Sequence, residues 1–300
     1  MPQDLHSLLC TESPNMFFDD LDGNACCDWI WGLCHSWQNQ KDHLPSQEPV
    51  SDNSGSNSLM GFPLLSEERV KQMIETGEEY LPNNGYNSRL RTEELMLSVR
   101  SEAVDWILKA SIHHGFGPLS VYLSVNYLDR FLSLCEFPGQ DWIVQLLAVS
   151  CLSIAAKMDE VYVPHVVDLQ ELVGKPEFLF EAKSIKAMEL MIMSRLKWRL
   201  HSSSTPYAYI DYFLNKTNNN YHFLSSASSK SIQLILSTIK DIQFLEFRPS
   251  EIAAAVAISV SMEMQSIDRD KIDRVVKCVE LIEDLSLSSD QCGATTPNFI

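Results

Sequence analysis

From Pro63 to about residue 285 the apolar positions recur at helical spacing. "LLSEERVKQMIETGEEYLP" sets Val70, Met73 and Ile74 at i, i+3 and i+4 behind Ser66, an N-cap residue with Arg69 at the third position. Gly77 and Pro82 close that helix. A second, roughly Glu93 to His113, puts Val99, Ala103, Trp106, Ile107 and Ala110 on one stripe. "GFGP" breaks it, and Pro118 opens a third over Leu119 to Ser133. After "PGQ", Asp141 to Lys157 is apolar on every side, the pattern of a helix surrounded by other helices. "VYVPHVVDLQELVGKPE" predicts a short Pro-started helix ending at Gly174, and Glu177 to Lys197 a fifth long element.

Beyond "HSSSTP" the arrangement restarts, with helices near 206–214, 225–243, 249–264 and 268–285. "PSEIAAAVAISVSMEM" is again small-residued and nearly all apolar, echoing "QLLAVSCLSIAAK". "SIQLILST" reads as strand or helix, but no period-two pattern of comparable length competes. The expectation is an all-α fold: two tandem helical bundles, each wrapped around a central apolar helix.

Residues 1–60 differ, with nine acidic residues against the single base Lys41. Pro45 to Ser58 has no large apolar side chain except Val50, so burial cannot offset the entropy of ordering it. The expected units are a disordered acidic tail over 1–62, bundles over 63–200 and 201–287, and a flexible C-terminus over 288–300. The Pro, Ser and acid content of the tail fits a degradation signal and a plain solvated linker equally.

A net charge of −17 argues against nucleic acid or an anionic membrane as the main partner. The eight cysteines (10, 26, 27, 34, 135, 151, 278, 292) form no regular disulfide framework. With no secretory leader at the N-terminus, reduced thiols inside a cell are expected. The most apolar window, Trp142 to Met158, is short for a membrane span and interrupted by Gln145, Ser150 and Ser153.

Catalytic signals do not emerge. The chain has no Gly-rich phosphate loop, HExxH or GxSxG. His113 and His114 are adjacent, so a helix splays them about 100° apart. Cys26, Cys27, Cys34 and His35 lack the spacing of a zinc knuckle. Asp159 and Glu160 read as a solvated helix end. No enzyme activity, metal or cofactor is expected.

Four stretches, "VRSEAVDWILKA" (99–110), "VNYLDRFLS" (125–133), "LAVSCLSIAAKMDE" (147–160) and "MELMIMSRLKWRL" (188–200), resemble the cyclin box in order and spacing. With "LLCTE" ahead of them the chain resembles a plant D-type cyclin. The resemblance implies a five-helix bundle repeated twice. It implies a non-catalytic regulatory subunit that binds a cyclin-dependent kinase and holds a mobile kinase helix inward, completing the Lys–Glu pair needed for phosphoryl transfer. ATP and Mg²⁺ would belong to the kinase.

By the same resemblance Lys157 and Glu189 are the kinase-contacting pair, and Leu146 lies near that contact, a position that core packing explains equally well. From the residues alone, the two equally pair with each other, or Lys157 complements its helix C-terminus. Arg100 and Asp129 match the family's internal ion pair. Met262 to Met264 fall where the second repeat would carry a counterpart of Lys157, so one kinase per chain follows. Val99, Ala103, Trp106 and Gln145 match a shallow patch that docks basic-apolar motifs of substrates and kinase-inhibitor proteins. Lys109, where many members carry an acid, would repel the arginine of such a motif.

Leu8, Cys10 and Glu12 sit at alternate positions and share one side of an extended chain. The resemblance makes them a Leu-x-Cys-x-Glu motif for a retinoblastoma-related protein, implying a role in the G1-to-S transition and a nuclear location. Ser13-Pro14 and Thr296-Pro297 have the minimal form of proline-directed phosphorylation sites. A rival reading, a cyclin-fold transcription adaptor, needs a basic DNA-facing surface that the charge does not provide.

Overall fold

The computed structural model describes residues 65–135, 140–170, 178–201, 205–217, 221–261 and 272–291. Ten α-helices and no strands occur among them: α1 (Glu67–Thr76), α2 (Tyr86–Thr92), α3 (Glu94–His114), α4 (Pro118–Leu134), α5 (Asp141–Asp159), α6 (Ala182–Arg195), α7 (Pro206–Thr217), α8 (Tyr221–Thr238), α9 (Pro249–Ser261) and α10 (Ile272–Gln291).

Local chemistry sets the ends. Ser66 Oγ accepts the Arg69 amide at 3.3 Å, capping α1. α3 stops at Gly115, whose φ of 68° is the left-handed conformation glycine adopts without strain; the Phe116 amide reaches back to the Ser111 carbonyl. Pro118 occupies the first turn of α4, where its missing N–H leaves nothing unpaired.

α5 is the axis of the first bundle. Every residue from Ile143 to Ala156 is buried, enclosed by α3, α4 and α6. By length and composition α5 would pass for a membrane span, yet 78% of its apolar window is buried inside the protein. α9 plays the same part in the second bundle, with Ile252 to Ala257 buried among α7, α8 and α10. Val70 and Met73 of α1 belong to this second core, so the first helix packs on the later bundle.

The junction between bundles is polar at its centre. Arg100 of α3 holds Asp129 of α4 through two bonds, Nε to Oδ1 at 2.7 Å and Nη2 to Oδ2 at 3.0 Å. The same guanidinium donates to the carbonyls of Ile239 and Lys240, just past α8, at 2.8 and 3.2 Å. Tyr86 of α2 donates to Asp129 Oδ1 at 2.9 Å. Burial and the neighbouring Asp129 charge push the Tyr86 hydroxyl far above its ordinary range. Burial works against the Arg100 charge, but Asp129 outweighs it and holds the guanidinium above its usual value. Beside this network Tyr122 and Tyr207 meet edge to face at 5.8 Å across the two bundles.

Several expected boundaries shift. α2 was not legible, because only Tyr86 and Leu90 are buried on it, too short a pattern to count. The Pro-started helix is, within the described residues, a 3-10 turn over Asp168–Gln170. α6 begins at Ala182 rather than Glu177; Gln170 bonds both the amide and the carbonyl of Phe180 and holds that approach off the helix. α8 spans Tyr221–Thr238 instead of 225–243, and includes the ambiguous "SIQLILST". Asp241 caps a separate 3-10 turn, Ile242–Glu246, by accepting the Gln243 amide at 2.8 Å. α10 runs to Gln291, past the expected helix end at 285 and domain limit at 287.

Asp129→Ala should cost about 3–5 kcal/mol in urea unfolding, because it strands a buried guanidinium. Pairing it with Arg100→Met should recover a large part of that loss. A loss below about 1 kcal/mol for the single variant would show that water or another group takes the carboxylate's place.

Candidate functional site

Lys157 stands in the last turn of α5 and Glu189 near the middle of α6. Packing of those helices brings the ammonium against both carboxylate oxygens, Nζ to Oε1 at 2.5 Å and to Oε2 at 2.7 Å. The two ends of the pair differ. The Glu189 side chain is 8% exposed and the Lys157 side chain 43%. A carboxylate that deep must be paired, and Lys157 pairs it while facing solvent. An ammonium has three donors. Two point at Glu189, and the third is free to serve an acceptor on an incoming surface.

The end of α5 is anchored from below. Glu160 Oε1 accepts the Gly117 amide at 2.7 Å and the Ser120 hydroxyl at 2.6 Å; Asp159 Oδ2 lies 3.0 Å from the same hydroxyl. Ser120 has one proton to donate, so the two carboxylates share it. Both acids thereby meet the N-terminus of α4, the end of a helix that favours negative charge. Asp159 is exposed at the helix end, as expected, and Glu160 is half-buried; what the sequence did not show is that their partners lie about forty residues earlier in the chain. Burial first, and then the charge of Glu160, raises the Asp159 carboxyl above its ordinary range, while the Ser120 bonds pull the other way.

Next to Lys157 the surface turns apolar. Met158, Val161, Tyr162, Val163 and Val167 are exposed, Tyr162 to 81%. None was singled out from sequence. The available signal was "VYV" directly after a buried helix, with no polar residue between its members.

The remaining sequence-derived residues divide clearly. Leu146 is 1% exposed and packs in the first core, so it offers no partner a surface; its reading as a kinase contact is corrected. Arg100 and Asp129 are both 2% exposed and face only their own protein. The substrate patch is closed at three of its four positions. Val99 and Ala103 are buried, and Gln145 is buried with its Nε2 donating to the Phe178 carbonyl at 3.1 Å. Trp106 alone is half-buried, beside exposed Lys109. Helical spacing had shown which way these side chains point, not how far the neighbouring helices cover them.

His114 Nε2 lies 3.2 Å from the Leu169 carbonyl, and its ring stacks on Phe116. Among the described residues no group of His, Cys, Asp and Glu is disposed to hold a metal, and Cys135, Cys151 and Cys278 are in no disulfide. Leu8, Cys10, Glu12, Ser13, Cys26, Cys27, Cys34, His35, Met262 to Met264 and Thr296 lie outside the described residues.

Residues 68–201 match the family model of the cyclin N-terminal domain, and residues 204–296 that of the cyclin C-terminal domain. The chain is 49% identical over 256 residues to Cyclin-D4-1 of Arabidopsis thaliana, covering 80% of this chain and 81% of that one. It is 48% identical over 264 residues to Cyclin-D4-2 of the same plant, covering 82% and 86%. With Cyclin-D3-1 of Oryza sativa subsp. japonica it shares 38% over 291 residues, covering 92% and 79%. A chain in the CAK complex of Chaetomium thermophilum bound to ATP-gamma-S is similar at 14% identity and a TM-score of 0.49, over 75% of this chain and 81% of that one.

A carboxyl whose folded value is raised stabilises the fold below the unfolded value, near 3.9 for Asp, and loses that contribution as pH rises through the folded value. Asp159→Asn, neutral at every pH, should therefore unfold at higher urea than the parent at pH 7. Its advantage should shrink as the pH is lowered toward about 4. Lower stability of the variant at pH 7 would mean that the Ser120 bond to a charged Asp159 outweighs its burial.

Proposed function

The chain belongs to the cyclin family of non-catalytic kinase regulatory subunits, beside D-type members from plants, and on that premise we propose that it binds a cyclin-dependent kinase through the face carrying Lys157 and Glu189. A retinoblastoma-related protein, held by Leu8, Cys10 and Glu12 in the acidic leader, is the substrate brought to that kinase. Phosphorylating it would promote the G1-to-S transition, with the complex working in the nucleus.

The observation that carries the reading is the half-open ion pair. Exposure spares the Lys157 ammonium most of the cost of leaving water and at the same time keeps it within reach of a partner. Here Glu189 fixes Lys157 in one orientation at the rim, so its remaining donor is preset for a carbonyl or carboxylate of a partner. The exposed apolar run from Met158 to Val167 supplies the contact area around it. Affinity would come from that apolar area and register from the lysine. A rigid surface of this kind activates an enzyme by preferring one of its two conformations. Moving a kinase from about 1:99 to 99:1 takes about 5.5 kcal/mol of differential binding.

The leader works by a separate principle. An extended strand with Leu8 and Cys10 on one side presents two apolar anchors, and Glu12 accepts hydrogen bonds from the pocket that receives it. The excess of acids around it favours a basic rim on the partner.

A pulldown from dividing cells separates the two contacts. Lys157→Ala and Glu189→Ala should each weaken kinase binding by roughly 10–100-fold, or about 1.4–2.8 kcal/mol, with the circular-dichroism spectrum unchanged. Cys10→Ala should lose the retinoblastoma-related protein and keep the kinase. Folded Lys157→Ala protein that retains its kinase at parental strength would overturn the assignment of this face.

A further inference from the structure

A groove of about 1150 Å³ runs between α1 and the second bundle. Its floor is apolar: Val70 and Ile74 from α1, Tyr212 and Phe213 from α7, Ile258 from α9 and Val275 from α10. Ile74, Tyr212, Phe213 and Ile258 are only half-buried, packed on the second core while leaving part of each side chain to the groove. Four basic and four acidic side chains line it, so it is neutral in a chain of net charge −17. The charges are also held by partners: Glu246 pairs with Arg91 and Lys277 outside the groove, and Lys216 lies over the Tyr212 ring. Arg274 Nε bonds Glu251 Oε1 at 2.9 Å, and Arg248 bonds Glu78. Such a site favours an apolar peptide over a phosphate or a nucleotide.

The chain itself enters the described structure at this place. Leu65 is half-buried against the second core, and one turn of α1 later Val70 reaches the groove. The residues just before it are Leu59-Met60-Gly61-Phe62-Pro63-Leu64, the apolar run that lies next to α1 in sequence, after the polar stretch Pro45 to Ser58. Pro63 fixes its own backbone and biases Phe62 to the extended region. In an extended chain Met60, Phe62 and Leu64 stand on one side, two residues apart. Six such residues reach at most about 20 Å, which confines them to the surface around α1.

We propose that residues 59–64 seat Met60, Phe62 and Leu64 in the groove between α1 and the second bundle, as an intrachain strap. The strap closes the apolar floor and fixes the point from which the acidic leader departs. It stands whether or not the leader binds a retinoblastoma-related protein.

The test uses the full chain with the photocrosslinker p-benzoylphenylalanine at position 62. Irradiation should join position 62, within one chain, to the peptide holding Tyr212 and Phe213 or to that holding Ile258. Cross-links between two copies, or only to the first bundle, would overturn the proposal. Phe62→Asp in the full chain provides a second reading. It should speed amide exchange at residues 254–258 roughly fivefold or more while leaving α5 unchanged. Unchanged exchange at 254–258 would equally overturn it.

Discussion

The buried contact between Arg100 and Asp129 holds this molecule in one arrangement. A guanidinium has five donors in a fixed plane, and four of them are used by two different elements of the fold. Two fork onto the Asp129 carboxylate of α4, and two take the carbonyls of Ile239 and Lys240. Carbonyls at a helix end have no partner within the helix and carry its partial negative charge. Those at the end of α8 are met here by a cation from the other bundle. Tyr86 closes the remaining side of the carboxylate. One residue pair thus satisfies groups from both repeats. The other charged links across the junction, such as Arg91 with Glu246 and Lys240 with Asp105, are exposed and contribute about 0–1 kcal/mol each. They can tune the joint but cannot replace its centre.

Two ion pairs of the first bundle show how burial assigns roles. Arg100 and Asp129 are sealed, and an arginine suits that place because its planar fork satisfies several acceptors at once. Lys157 and Glu189 are sealed on one side only, and a lysine suits that place because it is a compact point charge with a donor left over. Exchanging the two cations would leave a sealed site short of donors and an open one committed to a rigid plane. The carboxylates of Asp159 and Glu160 serve the open pair indirectly, because docking them on the α4 terminus fixes the end of α5 from which Lys157 projects.

Much of this was legible in the residues. A helix apolar on every side can only be an axis, and "LAVSCLSIAAK" and "PSEIAAAVAISV" both became one. Lys157, Glu189, Arg100 and Asp129 were singled out because they stand where the cyclin box carries its two ion pairs, and the cost of burying a lone charge agrees with that pairing. What escaped is what periodicity cannot carry. Depth is one such quantity: Val99 and Ala103 lay on the expected stripe, but whether a stripe is floor or surface depends on the helices laid over it. Distant capping is another, since Glu160 looks solvated until Gly117 and Ser120 are folded against it. Short elements are a third, and α2, with two buried residues, falls below the length at which a pattern can be told from chance.

The proposed division of labour between a rigid block and a leader has a quantitative consequence. Fifty-five positions separate Glu12 from Glu67, where α1 begins. A Gly/Ser-like random coil of that many residues would have a root-mean-square span of about 40 Å. That is enough to cross a small domain, and it keeps a bound substrate at an effective concentration on the order of millimolar near the block. Span varies only as the square root of length, so seating residues 59–64 in the groove would shorten the reach little. What it would change is the origin of the tether, from the start of α1 to the groove beside it on the second bundle. A kinase gripped at the first bundle and a substrate tethered from the second would then meet across a joint whose geometry Arg100 sets. The stiffness of that buried joint, rather than the affinity of either contact, would decide whether the substrate arrives where the kinase can use it.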